Sequence, residues 1–168
     1  MFTPKPALTR LEYEAMKWWK LSSASGSSNF VLPAPMVPDV TVEDLAGNRF
    51  SPGWPALIDT GSDRTIIPQS AVAILGIRIA SLENIRILSS SEINVPTVFV
   101  ALSIPNVGRV TVKAIVLNRT TILLGRDVLK NLVFTFDGHS STFYLGRPSL
   151  LKRFWRSFFR RGVSLNTV

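Results

Sequence analysis

The sequence contains no cysteine. Neither a disulfide framework nor thiolate catalysis is open to it. It has one histidine, His139, and no cluster of acidic residues, so a metal site is not expected, and His139 reads as a solvated loop residue. No apolar run approaches the roughly 18–20 residues of a membrane-spanning helix. Residues 1–10 lack the apolar stretch of a secretory leader, and a cytoplasmic setting is the expectation. Acids are scarce too: 11 Asp and Glu stand against 19 Lys and Arg, a net charge of +8. From Ser149 onward there are five cations and no acid, so the basic character is concentrated in a tail.

What is present suits one domain with extensions. Hydrophobic residues make up 46% of 168 positions, ample for a packed core. Residues 8–20 carry Leu11, Met16, Trp18 and Trp19 among charges and are expected to form a short helix. A serine-rich run at 22–28 and the prolines Pro33, Pro35 and Pro38 suggest a flexible connection. The expected division is an extension and linker over 1–36, a globular domain over 37–147, and a basic tail over 148–168.

Within the domain, short alternating or apolar runs fall at 40–42, 56–58, 65–67, 85–87, 95–103, 110–117, 121–124, 133–136 and 142–145. Turn residues separate them, among them Ala46-Gly47-Asn48, Pro105-Asn106 and Asp137-Gly138. Residues 69–75, closed by Gly76, have room for one or two helical turns, and 126–132 for a short helix. Many short strands at close spacing with one short helix describe an all-β barrel.

The stretch that carries chemistry is Ala56-Leu57-Ile58-Asp59-Thr60-Gly61-Ser62-Asp63, and it occurs once. Three apolar residues lead into a carboxylate on a tight turn. Gly61 lets the backbone bend where a side chain would clash, and Thr60 and Ser62 supply hydroxyls beside the acid. Such a carboxylate is costly to desolvate unless it has a task. Sixty-six positions beyond Asp59, Ile122-Leu123-Leu124-Gly125-Arg126-Asp127 places a glycine at the end of a second apolar strand.

Together these two stretches resemble the retropepsin-like, retroviral-type aspartic proteases, over positions 37–147. The resemblance implies a single-lobed acid protease barrel that works as a homodimer. It would hydrolyse peptide bonds with a water activated by Asp59 and the same residue of a second copy, with no cofactor and no metal. Pepsin-like chains carry two such loops; here Asp137-Gly138 lacks the intervening hydroxyl residue and reads as a hairpin turn.

The resemblance also assigns roles around the carboxylate. Thr60 reaches across the dimer, Gly61 and Gly125 allow close backbone approach, and Asp63 pairs with Arg126 to tie the loop to a helix. Ser62 stands where the retroviral type commonly has Ala, and by its own chemistry its hydroxyl would donate to Asp59; Asp127 reads as a helix N-terminal acid. A flap hairpin is expected over 85–98. Its tip, Ser89-Ser90-Ser91, departs from the glycine-rich tips usual in the family. The alternative is a barrel of the same kind kept as a non-catalytic dimerisation or peptide-binding module.

The tail is a separate matter. Leu150, Leu151, Phe154, Trp155, Phe158 and Phe159 recur at helical spacing between Lys152, Arg153, Arg156, Arg160 and Arg161. A basic amphipathic helix with Phe154, Trp155, Phe158 and Phe159 on one side suits an anionic membrane surface, which would make attachment peripheral. Packing of that stripe on the barrel or on a partner copy is the competing reading, and nucleic acid is not an expected partner.

Overall fold

The computed structural model describes residues 19–23, 33–86 and 92–148. The strands are β1 (Trp19–Lys20), β2 (Ser22–Ser23), β3 (Pro33–Ala34), β4 (Met36–Glu43), β5 (Trp54–Ile58), β6 (Ile66–Pro68), β7 (Ser81–Arg86), β8 (Glu92–Ile104), β9 (Gly108–Leu117), β10 (Ile122–Leu124), β11 (Val133–Asp137) and β12 (Thr142–Gly146). Two helices occur among the described residues, α1 (Gln69–Leu75) and α2 (Arg126–Leu129). The chain is all-β, as the run of short apolar segments implies.

Seven strands form one sheet in the order β4-β5-β10-β6-β9-β8-β7, and a further β4–β8 pairing closes it into a barrel. The long strand β8 makes that closure possible. One edge pairs with β9 from Thr97 to Ile104, while the other is shared between β7 and the last residues of β4. The core is aliphatic: Val37, Val40, Ile67, Val98, Leu102, Ile122 and Leu124 are all fully buried. β10, between β5 and β6, is buried at all three positions, and its unbroken Ile-Leu-Leu run is what a strand covered on both faces requires.

Turns follow their residues. Gly47 and Gly76 have positive φ; Gly76 closes α1 in the left-handed conformation, its N–H donating back to the carbonyls of Ala73 and Val72. At the β11–β12 hairpin, Asp137 Oδ1 accepts from the amides of His139 and Ser140. That side chain stabilises its own turn, as the Asp-Gly pair suggested.

The start of the chain differs from expectation. Trp19 and Lys20 are extended rather than helical and pair with Phe143 and Thr142 of β12. Trp19 stacks on the fully buried Phe143 at 5.2 Å between ring centroids. An aromatic partner 124 residues away overrides whatever local helical preference the segment has. Ser22–Ser23 pair with Pro33–Ala34, so part of the serine- and proline-rich stretch is held in a two-stranded ribbon. Residues 1–18 and 24–32 lie outside the described residues.

Candidate active site

Asp59 is placed by three strands. β5 runs parallel to β10, with Ile58 beside Leu124, and β10 in turn pairs antiparallel with β6 through Leu123 and Ile66. The segment 59–65 therefore leaves one neighbour of β10 and returns on the other. The amide of Asp59 donates to the Leu124 carbonyl at 3.0 Å, fixing the carboxylate where β5 ends. Asp59 is half-buried, and its Oδ1 accepts from the Gly61 amide at 3.0 Å. The Ser62 amide closes the turn on the Asp59 carbonyl at 3.4 Å.

The far side of the loop is locked to the start of α2. The amides of Arg126 and Asp127 donate to the carbonyls of Ser62 and Asp63, and the Arg126 guanidinium pairs with the Asp63 carboxylate. Asp63 and Arg126 thus meet as the resemblance implied, on the exposed side of the loop. Gly125 lies against the loop: a Cβ there would overlap the Arg64 carbonyl and sit 2.9 Å from the Thr65 amide nitrogen. Its glycine is required by space rather than by backbone conformation.

Ser62 is a correction. Its hydroxyl donates to the Arg64 carbonyl at 2.8 Å, not to Asp59. A hydroxyl has one proton to give, and here it braces the descending half of the loop. Thr60 and Gly61 are exposed at the loop's crest. The flap tip Ser89, Ser90 and Ser91 lies outside the described residues, as do Phe154, Trp155, Phe158 and Phe159. The hairpin that carries the tip is present: β7 and β8 pair from Ser81–Thr97 out to Arg86–Glu92.

Two residues essential to the loop were not singled out by sequence reasoning for the part they play. Thr65 is fully buried, and its hydroxyl donates to Asp127 Oδ1 at 2.6 Å while accepting from the Gly125 amide at 3.1 Å. The Thr65 amide donates to Asp127 Oδ2 at 2.9 Å, and Asp127 Oδ1 also accepts from the Val128 amide. Asp127 is a helix N-terminal acid, as expected, but one carboxylate also clamps the end of the loop onto α2 and β10. Nothing local in the sequence signals a bond between residues 62 positions apart.

Residues 39–128, more than half of the chain and including the whole of this site, match the aspartyl protease family. The chain belongs to the aspartyl protease family. No curated protein matches it. Among solved structures it is similar to a retropepsin-like aspartic protease from Rickettsia conorii, at 14% identity and a TM-score of 0.41, over 71% of this chain and 99% of that one. It is also similar to a foamy viral protease-reverse transcriptase solved with an RNA/DNA hybrid, at 12% identity and a TM-score of 0.44. That match takes in 58% of this chain and spans only 12% of the viral one. Within the family, the half-buried carboxylate at the end of a strand, on a loop bonded to the Gly-Arg-Asp stretch, is the candidate catalytic group.

Proposed function

We propose that this aspartyl protease family member is an endopeptidase that acts as a homodimer, each copy contributing Asp59 to one dyad. The observation that carries this reading is a single Asp-Thr-Gly loop per chain, held so that Asp59 stands at the strand end and Thr60 and Gly61 form an exposed crest. The other Asp-Gly pair is spent on its own hairpin amides and offers no second catalytic carboxylate. A dyad therefore requires a second copy.

Two carboxylates a few ångströms apart retain one proton between them and titrate as a unit. The ionised member takes a proton from water as that water attacks the peptide carbonyl carbon; the protonated member gives its proton to the carbonyl oxygen. Collapse of the resulting gem-diol breaks the C–N bond, with the proton passed to the leaving amine. No covalent enzyme intermediate forms. Substrate is an extended peptide segment lying between the dyad and the β7–β8 hairpin. Peripheral attachment to an anionic bilayer through the basic aromatic segment 149–162 belongs to the same proposal and rests on composition.

A statine-type transition-state mimic tests the reading. Tight binding by wild type and loss of binding by Asp59→Asn is the expected result, because affinity for such a mimic depends on an assembled dyad. Peptide binding without hydrolysis, indifferent to Asp59, would favour the non-catalytic module.

A further inference from the structure

Arg64, directly after the Asp63 that pairs with Arg126, reaches away from its own loop. Its Nη1 lies 3.1 Å from Glu83 Oε2 on β7, its Nη2 donates to the Lys113 carbonyl on β9 at 3.1 Å, and its Nε is 3.9 Å from Asp127 on α2. Glu83 is shared: its Oε1 is 2.5 Å from Lys113 Nζ. Lys113 in turn lies over the Phe99 ring, 5.6 Å from its centroid. Four charges from four separate elements thus form one chain, Asp127–Arg64–Glu83–Lys113. All are partly shielded, with side-chain exposures of 19%, 34%, 27% and 31%.

The placement of Glu83 matters more than the number of contacts. It sits on the first arm of the β7–β8 hairpin, opposite Val95, and alternation along β7 puts Ile85 on the same face, two residues nearer the tip. That face is turned toward the Arg64 end of the loop that holds Asp59. Among the described residues, backbone pairing joins β7 only to β8, at the edge of the sheet. Glu83, two residues beyond the Ser81–Thr97 anchor at the hairpin base, carries the contact from β7 to the loop.

We propose that Arg64 and Glu83 are positioning residues, a charged tether that sets the height of the β7–β8 hairpin over the Asp59 loop. Lys113 holds Glu83 from the β9 side and keeps its carboxylate aimed at Arg64. This rests on the protease reading only for its effect on turnover; the tether itself is a property of the fold. The groups facing Glu83 are Arg64 and Lys113; the residue opposite it on β8 is the apolar Val95. The Lys113 ammonium, followed by Arg64, holds the Glu83 carboxyl below its ordinary value of 4.5. The tether is therefore intact above that value and fades as pH falls through the lowered one.

The test uses the full chain with Glu83→Gln, Arg64→Met and the double variant, and reads two quantities. Amide hydrogen exchange should quicken about tenfold across residues 81–86 in either single variant, with β10 unchanged, and the double variant should add little more. With a peptide substrate, KM should rise about fivefold at neutral pH with kcat nearly unaltered. Wild type should lose the same advantage in acid, while KM of Glu83→Gln stays flat. Unchanged exchange in Glu83→Gln, or losses in the two single variants that add in full, would overturn the tether. Exchange decides the tether without reference to turnover. A wild type that cleaves no peptide thus removes the protease reading, and exchange still supports or overturns the tether.

Discussion

At Thr65 four hydrogen bonds converge on a residue with no exposure to solvent: its hydroxyl and amide both donate to Asp127, the Gly125 amide donates to its hydroxyl, and the Ile115 amide donates to its carbonyl. Thr65→Val keeps the shape and leaves an Asp127 oxygen and the Gly125 amide short of a partner. A loss of about 1–3 kcal/mol in unfolding free energy is expected, measured by urea denaturation. Gly125→Ala acts by space instead. Its Cβ would meet backbone of Arg64, which cannot swing aside as a side chain end would, so a loss of about 1–3 kcal/mol is expected with Asp59 displaced. The exposed Asp63–Arg126 pair contributes less, below about 1 kcal/mol. At Ser62 the structure reverses an expectation. Because the hydroxyl bonds the Arg64 carbonyl, Ser62→Ala should leave the acid limb of the pH–rate profile where it is. A shift of that limb would return Ser62 to the carboxylate.

At the scale of elements, much of the barrel was legible in the sequence. Strand runs ended at Gly and Pro, Gly76 closed α1, and Asp137-Gly138 turned a hairpin, because these are local steric effects that a few adjacent residues decide. What was not legible depended on partners far along the chain. Trp19 is a strand residue because Phe143 offers a ring to stack on, and Glu83 meets Lys113 because β7 and β9 both pair with β8. Ser62 went astray for a related reason: the motif names the hydroxyl but not the carbonyl that the loop's descent puts in front of it. Trp19→Ala should therefore cost on the order of 1–2 kcal/mol, from the lost ring pair and burial, although it lies outside the barrel. Acid should act on the charged connections. The Arg49 guanidinium holds the Asp44 carboxyl below its ordinary value, as Lys113 holds that of Glu83. Both carboxylates contribute stability above their ordinary values and lose it as pH falls through the lowered ones. The fall in melting temperature on acidification should accordingly be smaller in Glu83→Gln than in wild type, and an identical fall would show Glu83 uncoupled from folding.

At the scale of the whole molecule, the proposed function makes assembly part of the chemistry, because the chain carries one Asp-Thr-Gly loop. On that proposal the barrel is half a site, with Asp59 at a strand end and an exposed Thr60-Gly61 crest. Isologous pairing of two copies about a two-fold axis would bring the crests together and supply the second carboxylate. The measurement that tests this most directly is activity in mixtures of wild type and Asp59→Asn, held at constant total protein and allowed to exchange partners. If each site needs Asp59 from both copies, activity follows the square of the wild-type fraction, and an equal mixture retains about a quarter of full activity. Pure Asp59→Asn should be inactive and folded. Activity linear in the wild-type fraction, about half in the equal mixture, would mean that one chain suffices and would contradict the shared dyad.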